Sequence, residues 1–176
     1  MNKYLWLALP LAGALSACGA QIGKEGTEEG TAGSASDPME FHEEATVCPG
    51  SNKVYGIDVS YYQGVINWSS VKAAGKQFAI IRVSDGTGFL DPKFVVNWKN
   101  AKAAGLAVGA YQFFRPNQDA TAQADLFVNQ LNAVGFGAND LPPVIDVEVT
   151  GGVSGSTVAA RVNTWLNRVK SRTGRL

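Results

Sequence analysis

The hydrophobic pattern from residue 54 onward predicts a strand-then-helix unit that is repeated four times. Segments 54–60, 77–84, 107–114 and 144–149 are short and rich in β-branched and aromatic residues, which is typical of strands. The stretch that follows each of them has apolar residues at helical spacing and reaches a glycine suited to a left-handed C-terminal position: Gly75, Gly105, Gly135 and Gly174. This alternation predicts an α/β fold with a parallel sheet and right-handed crossovers, either an open sheet or part of a barrel.

The predicted helices present apolar faces that we assign to the core. Asp91 and Pro92 are expected to be the N-cap and first-turn proline of the second helix. The apolar faces of the second, third and fourth helices comprise Phe94, Val95, Trp98 and Ala101; Phe127, Val128 and Leu131; and Val158, Val162, Trp165 and Val169.

The N-terminus has the pattern of an export signal. Lys3 precedes a short apolar stretch at 4–14 that is too brief to span a bilayer, and Leu-Ser-Ala-Cys follows at 15–18. This arrangement resembles a bacterial lipobox. It predicts a lipoprotein-type signal peptide at 1–17 and lipidation at Cys18, with an ordinary signal cut near Ala17 or Ala20 as the alternative. Gly19 beside the cysteine favours the bacterial outer membrane; the alternative is a secreted or periplasmic protein.

Composition changes sharply after the signal. Residues 18–47 contain almost no large apolar side chains, so they are predicted to form a disordered tether. Seven acids and one lysine give this segment a net charge of −6, whereas thirteen Lys and Arg against eight acids give residues 48–176 a net charge of +5. A mildly basic domain is compatible with an anionic polymer such as cell-wall glycan, but the charge is too weak to predict nucleic-acid binding.

Two carboxyls in the fourth predicted strand are the main candidates for chemistry. Alternation along a strand puts Asp146 and Glu148 on one face. Burying carboxylates is costly without partners, so such a pair indicates a site more readily than packing, although a solvated strand end is the alternative. Neighbouring carboxyls push their pKa values apart, which leaves one protonated as an acid and the other anionic.

Other polar side chains are expected to converge on the same interior. In a parallel α/β fold the site lies at the C-terminal ends of the strands. Asp58 is on the first strand, Arg82 shares a face with Ile80 and Ser84 on the second, and Tyr111 shares one with Phe113 on the third. Each has a structural alternative: a turn cap for Asp58, barrel filling for Tyr111 and a buried counter-ion for Arg82, the last being the role we favour.

These segments together resemble glycoside hydrolase family 25, the lysozymes that cut peptidoglycan after N-acetylmuramic acid. The matching motifs are YGIDVSYYQG at 55–64, INW at 66–68, FAIIR at 78–82, GAYQFFRP at 109–116 and PVIDVE at 143–148. The resemblance implies a TIM-like (β/α) barrel, of which residues 48–176 would supply about four βα units. It also implies peptidoglycan as the substrate and no cofactor or metal.

The resemblance also assigns roles to individual residues. Glu148 matches the general acid of the family, and Asp146 matches its partner, which assists the N-acetyl group or stabilises the oxocarbenium-like intermediate. Asp58 matches the first-strand acid. The expected substrate contacts are Tyr111, Phe113, Arg82 and Gln112, and Gln112 stands where many relatives have histidine.

Family members continue with further strands, so the domain is expected to be incomplete after residue 176. Cys48 is then an odd thiol whose partner would lie in the absent part. Three functions follow as alternatives. They are a cell-wall glycosidase, a glycan-binding or remnant lipoprotein without turnover, and a metal hydrolase with Asp58, Asp146 and Glu148 as oxygen ligands. The only histidine, His42, lies in the tether, which excludes a Ser-His-Asp triad from the domain.

Overall fold

The computed structural model describes residues 53–175. The predicted signal peptide at 1–17, the tether at 18–47, the lipidation site Cys18 and the thiol of Cys48 all lie outside the described residues. Over the described range, no helix has both the length and the apolar character needed to cross a bilayer.

Strands and helices alternate as the hydrophobic pattern predicts. In chain order they are β1 (Gly56–Val59), α1 (Trp68–Ala73), β2 (Phe78–Asp85), β3 (Phe89–Leu90), α2 (Phe94–Ala103), β4 (Ala107–Phe113), α3 (Ala120–Ala133), β5 (Val144–Asp146) and α4 (Gly155–Thr173), with a single 3-10 turn at Tyr61–Gln63 after β1. Gly75, Gly105, Gly135 and Gly174, predicted to end the helices, all have positive φ.

The sheet has the order β1-β2-β4-β5, and all of these strands are parallel, which confirms the predicted α/β class. Along the chain, each parallel strand pairs with the parallel strand before it, and always on the edge away from β1. Right-handed crossovers that always advance in one direction put every helix on one face of the sheet, as in a barrel and unlike a doubly wound open sheet. The other face is left without helices. Within residues 53–175, β5 pairs only with β4.

The core lies between the sheet and its helices. The sheet contributes Ala79, Ile81, Val83, Val108 and Ala110, all with almost no exposed surface. The helices contribute the large side chains, which include two aromatic pairs: Phe94 with Trp98 in α2, and Phe127 of α3 with Trp165 of α4. The three predicted helical faces are largely confirmed, except that Val95 is exposed.

Two local expectations were wrong, and one strand was missed. Helix α2 begins at Phe94 after Lys93, so Asp91 is not its N-cap. The fourth strand ends at Asp146, and Glu148 lies in the irregular segment that follows. Strand β3 was not predicted; it pairs antiparallel with the end of β2.

An irregularity in β2 also changes which face Ser84 occupies. Arg82 pairs with Tyr111 on β4, but Ser84 pairs with the next residue, Gln112, so one residue of β2 is bulged between them. The expectation that Ser84 shares a face with Arg82 was therefore wrong. Ser84 turns toward the helices and is completely buried.

Candidate active site

The helix-free face of the sheet carries an open cleft of about 440 Å³. The cleft is lined by the three predicted acids, one tyrosine and several aliphatic side chains: Asp58, Asp146 and Glu148; Tyr111; and Ile80, Val144 and Ile145. All four parallel strands contribute to it. The sequence therefore correctly brings Asp58, Tyr111, Asp146 and Glu148 to one place.

Strand register explains this convergence. Asp58 lies beside Ile80 on β2, Tyr111 lies beside Val144 on β5, and the next step along the same face puts Phe113 beside Asp146. Because parallel neighbours in register share a face, side chains at alternate positions of four strands point into one cleft.

The cleft perturbs the protonation of Asp146. Partial burial is the largest cause that raises the pKa of this carboxyl, followed by the charge of Glu148, a hydrogen bond with Glu148 and the charge of Asp58; Arg82 acts in the opposite direction. The neighbouring carboxylates of Glu148 and Asp58 therefore add to the effect of burial in favouring the protonated form of Asp146.

Tyr111 stays protonated over the whole physiological range. Burial raises the pKa of Tyr111 to about 12, with the carboxylates of Asp58, Asp146 and Asp91 adding to the effect and Arg82 opposing it. Its hydroxyl is therefore available as a hydrogen-bond donor in the cleft, where its neighbours are mostly acceptors.

Arg82 is almost fully buried and is paired with Asp91, which confirms the counter-ion role. Its Nε lies 3.0 Å from Asp91 Oδ2. The same carboxylate accepts the backbone N–H of Tyr61 through Oδ2 and that of Lys93 through Oδ1, both at 2.9 Å. These three hydrogen bonds, one of them from a charged group, offset the desolvation cost of the buried Asp91 carboxylate.

Gln112 does not reach the cleft, and its predicted substrate contact is wrong in this structure. Its side chain has no exposed surface and lies on the helix side of β4. Gln112 Nε2 donates to Ser84 Oγ at 2.8 Å and to the carbonyl of Gly86 at 3.2 Å, and its Oε1 accepts from Trp165 Nε1 at 2.6 Å. All of its polar atoms are thus engaged in holding β2, β4 and α4 together.

Phe113 lies on the cleft side of β4 but outside the cleft lining. The guanidinium carbon of Arg115 lies 4.6 Å from the centroid of its ring. Arg115 in turn makes a two-pronged contact with Asp85, at 2.5 Å and 2.6 Å. Phe113 therefore supports an ion pair beyond the cleft, and its role as a sugar contact stays a prediction.

Comparison with known proteins identifies the family to which this fold belongs. The sequence profile of glycosyl hydrolases family 25 matches residues 57–176. The chain belongs to this family. Lysozyme M1 of Streptomyces globisporus is 42% identical over 141 residues, which cover 76% of this chain and 48% of that protein. The N,O-diacetylmuramidase of Arthroderma benhamiae is 31% identical over 71% of this chain and 56% of that protein.

Solved structures agree with this family 25 assignment. The bacterial lysozyme of Streptomyces coelicolor is 40% identical with a TM-score of 0.62, over 72% of this chain and 61% of that one. A family 25 glycosyl hydrolase from Bacillus anthracis is 31% identical with a TM-score of 0.64, over 69% of this chain and 57% of that one. The chain spans about half the length of the curated relatives it matches.

The geometry of this family 25 site gives little support to the metal-hydrolase alternative. Among residues 53–175, no three His, Cys, Asp or Glu side chains are arranged to hold a metal ion, and this includes Asp58, Asp146 and Glu148. The cleft instead offers carboxyls at different positions around a space large enough for a sugar unit.

Sequence reasoning missed the polar contacts of two buried residues. Trp165 was assigned only to the core, yet its indole N–H binds Gln112. Asp91 was assigned to a helix cap, yet it binds Arg82 and the backbone after β1. Strand alternation could have placed Gln112 with Ala110 on the helix side, since Tyr111 and Phe113 were assigned to the other face.

Proposed function

We propose that this chain is a lysozyme-type hydrolase that cleaves the β-1,4 bond between N-acetylmuramic acid and N-acetylglucosamine in peptidoglycan, in cell-wall catabolism. The observation that carries the proposal is the shared cleft of Asp146 and Glu148 opposite Asp58. Family membership and relatives named lysozyme and N,O-diacetylmuramidase support the same chemistry.

In the proposed reaction, Glu148 protonates the oxygen that leaves from the muramic acid. Glu148 is exposed at the mouth of the cleft, where a glycosidic oxygen can approach it. As the bond breaks, positive charge develops on the sugar, and the carboxyl of Asp146 stabilises it or orients the N-acetyl group. A water molecule then adds to the sugar carbon and returns a proton to Glu148. Asp58 faces the same space from β1, and the Tyr111 hydroxyl donates a hydrogen bond to the sugar.

The test is Glu148→Gln, which removes the titrating proton and keeps the shape of the side chain. Release of reducing ends from purified peptidoglycan should fall by about 10²- to 10⁴-fold, the usual contribution of a general acid. Asp125→Asn makes the same chemical change on the outer surface between α3 and α4 and should keep turnover. Near-normal turnover by Glu148→Gln would refute the role of Glu148.

The identity of the new reducing end tests the bond assignment. Borohydride reduction of the products labels the sugar at which the glycan was cut, and muramic acid is expected to be the labelled sugar. Labelled glucosamine would contradict the proposed bond. Binding to peptidoglycan without any release of reducing ends would favour the alternative of a glycan-binding protein without turnover.

We further propose that the protein is exported and anchored by lipid on Cys18, in the outer membrane of a bacterium. The Leu-Ser-Ala-Cys sequence at 15–18 and the polar segment after it support this proposal. Labelling with a fatty-acid analogue should modify the unsubstituted chain and leave Cys18→Ser unlabelled. Label on Cys18→Ser would contradict the assignment of this cysteine, and absence of label on the unsubstituted chain would favour a secreted or periplasmic protein.

A further inference from the structure

The segment that carries Glu148 is held near both of its ends by the connection between β4 and α3. We call residues 147–152, which follow β5 and form neither helix nor strand, the Glu148 segment. Just before it, the last carbonyl of β5 accepts the backbone N–H of Phe114 at 2.8 Å. Near its other end, Gly151 lies directly against Asn117. Glu148 therefore lies between two contacts with one short stretch of chain.

The approach of Gly151 to Asn117 leaves no room for a side chain. A Cβ atom at position 151 would lie 3.0 Å from Cγ, 3.1 Å from Cβ and 3.1 Å from the backbone nitrogen of Asn117. Carbon atoms in van der Waals contact are about 3.5–4.0 Å apart, so a side chain here would force the two segments apart. The φ angle of Gly151 is +61°, in the left-handed region that glycine tolerates best. Position 151 therefore requires glycine both for its conformation and for this contact.

The Asn117 side of the contact is firmly held. The carbonyl of the preceding residue, Pro116, accepts a hydrogen bond from the Arg161 guanidinium of α4. The backbone N–H of Arg115 donates to Gln123 Oε1 at 2.9 Å, and Gln123 has no exposed surface. Gln123 Nε2 donates back to the Arg115 carbonyl at 3.0 Å. The connection that contains Asn117 is thus fixed to both α3 and α4.

The Glu148 segment has fewer restraints. In the part of the chain that the structure describes, its backbone groups make hydrogen bonds only within their own turn, where Thr150 accepts the N–H groups of Gly152 and Val153 at 3.3 and 3.2 Å. Glu148, Thr150 and Gly152 are exposed. A side chain added at position 151 should therefore displace the Glu148 segment and leave the β4–α3 connection in place.

We propose that Gly151 is a positioning residue for Glu148. Because position 151 has no side chain, the Glu148 segment lies against Asn117, and this contact fixes the Glu148 carboxyl at the mouth of the cleft. The proposal rests on the proposed function, in which Glu148 is the general acid, and Gly151 acts only through that residue. A general acid must be within hydrogen-bond reach of the oxygen that it protonates, and a displacement of about 1 Å can lower the rate by about 10²-fold.

The first test is Gly151→Ala in the full chain, with Gly152→Ala as the matched control. Gly152 belongs to the same turn and also has a positive φ, of +79°, but nothing lies within 4 Å of a Cβ atom at its position. Both variants carry the cost of alanine in a left-handed conformation, so their Tm values should fall by similar amounts. Only Gly151→Ala should also lose kcat for the release of reducing ends from peptidoglycan, by about ten- to hundredfold. KM should change by less than about twofold in both variants, because no substrate contact is removed.

A second variant, Asn117→Gly, changes the same contact from the other side and leaves Gly151 as it is. Asn117 is exposed, so its side chain can be removed without creating a cavity. Without the Cβ and Cγ atoms of Asn117, the Glu148 segment loses part of its support. The value of kcat should fall by about three- to tenfold, with the same small change in KM. If Gly151→Ala does not fold, an unchanged kcat in Asn117→Gly overturns the positioning role.

The pKa of Asp146 reports the position of Glu148 without any turnover. Burial is the largest cause that raises this pKa, and the charge of Glu148 is the next; the charge of Asp58 also raises it and that of Arg82 lowers it. Because a charge interaction depends on distance, the pKa of Asp146 should shift from the parent value when the Glu148 segment is displaced. NMR titration of the carboxyl carbons, with the signal assigned by Asp146→Asn, should show this shift in the first variant and not in its matched control.

The outcomes distinguish this role from the proposed function. A loss of kcat together with a shifted Asp146 pKa, in Gly151→Ala but not in Gly152→Ala, supports the positioning role. The same selective pKa shift in a chain that releases no reducing ends also supports it, and then only the proposed turnover is contradicted. Unchanged kcat and pKa in Gly151→Ala overturn it, as does an equal loss of kcat in Gly152→Ala. A loss of kcat without a pKa shift would mean that Gly151 does not act through Glu148, which also overturns it.

Discussion

The two faces of the central sheet are built from the same strands and have opposite properties. Toward the helices, Ala79, Ile81, Val108 and Ala110 have almost no exposed surface, and the polar Gln112 among them has all its hydrogen-bonding atoms engaged. Toward the cleft, carboxyls and a phenol stand partly solvated, with a raised pKa on Asp146. One face therefore forms the core, and the other carries the candidate active site.

This division follows from the strand order. Because consecutive strands are added on one side, all the helices cover one face, and the alternating side chains of the other face need no apolar character. Substitutions on the helix face should therefore change stability, whereas those on the cleft face should change activity and can even raise stability.

The largest effect on stability is expected for Trp165→Ala on the helix face. Trp165 has no exposed surface, and its ring centroid lies 5.2 Å from that of Phe127. Its indole N–H donates a hydrogen bond to Gln112 Oε1. Its loss leaves a cavity and an unpaired Gln112 Oε1, so the free energy of unfolding should fall by about 4 kcal/mol in urea denaturation.

Asn163→Ala is the control for this change. Asn163 lies on the exposed side of the same helix, and alanine is a better helix former, so stability should stay within about 0.5 kcal/mol of the parent. A loss below about 1 kcal/mol for Trp165→Ala would mean that α4 contributes little to the core, which contradicts the two-face description.

A smaller loss is expected for Gln112→Leu, which keeps the side-chain volume and creates no cavity. The change leaves Trp165 Nε1, Ser84 Oγ and the Gly86 carbonyl without their partner. We expect a cost of about 2 kcal/mol in the free energy of unfolding, the desolvation penalty of unsatisfied buried groups.

A double-mutant cycle sharpens this prediction. Ser84→Ala should destabilise the parent more than it destabilises the Gln112→Leu variant, because its partner is already absent in the latter. Equal costs in both backgrounds would show that the hydrogen bond between Gln112 and Ser84 contributes nothing to stability.

The smallest change, and one of opposite sign, is expected for Asp146→Asn on the cleft face. Because the pKa of Asp146 is raised in the folded state, folding takes up a proton. The contribution of the protonated Asp146 carboxyl to stability is therefore lost as the pH rises from the unfolded-state pKa through the folded-state pKa. The neutral amide avoids this loss. At about pH 7 the variant should have a higher Tm than the parent, and at about pH 3 the difference should disappear.

Asp125→Asn provides a contrast with the reverse sign. Hydrogen bonds from Arg168 and Arg172 lower the pKa of Asp125, so its contribution to stability is present at neutral pH and is lost as the pH falls through the folded pKa. This variant should have a lower Tm than the parent at neutral pH. Parallel shifts in both variants would contradict the assigned pKa directions.

Patterns that are local in sequence predicted much of this fold and site. Four strand-helix units and the convergence of Asp58, Tyr111 and Asp146 follow from periodicities of 2 and 3.6 residues, and the glycines at the helix ends follow from their tolerance of positive φ. Glu148 reaches the same cleft from the irregular segment after β5. The predicted roles of the individual acids, by contrast, came from the family resemblance and await the tests above.

Features that depend on long-range contacts were not predictable. The bulge that turns Ser84 toward the helices appears only when β2 is paired with β4, and the contact of Gln112 with Trp165 joins residues 53 positions apart. In the case of Gln112, the resemblance suggested a substrate contact, whereas simple alternation along β4 would have indicated the buried side.

The carboxylate of Asp91 has a consequence for anyone who recombines this fold. It binds the turn after β1 through Tyr61, strand β2 through Arg82 and the start of α2 through Lys93. A chimaera that takes only one of these segments from another protein breaks part of the hydrogen-bond network around Asp91. Loops grafted at this end of the sheet should therefore be exchanged as a set of three. In a chimaera with one exchanged segment, selection for restored stability should mainly yield substitutions in the other two segments.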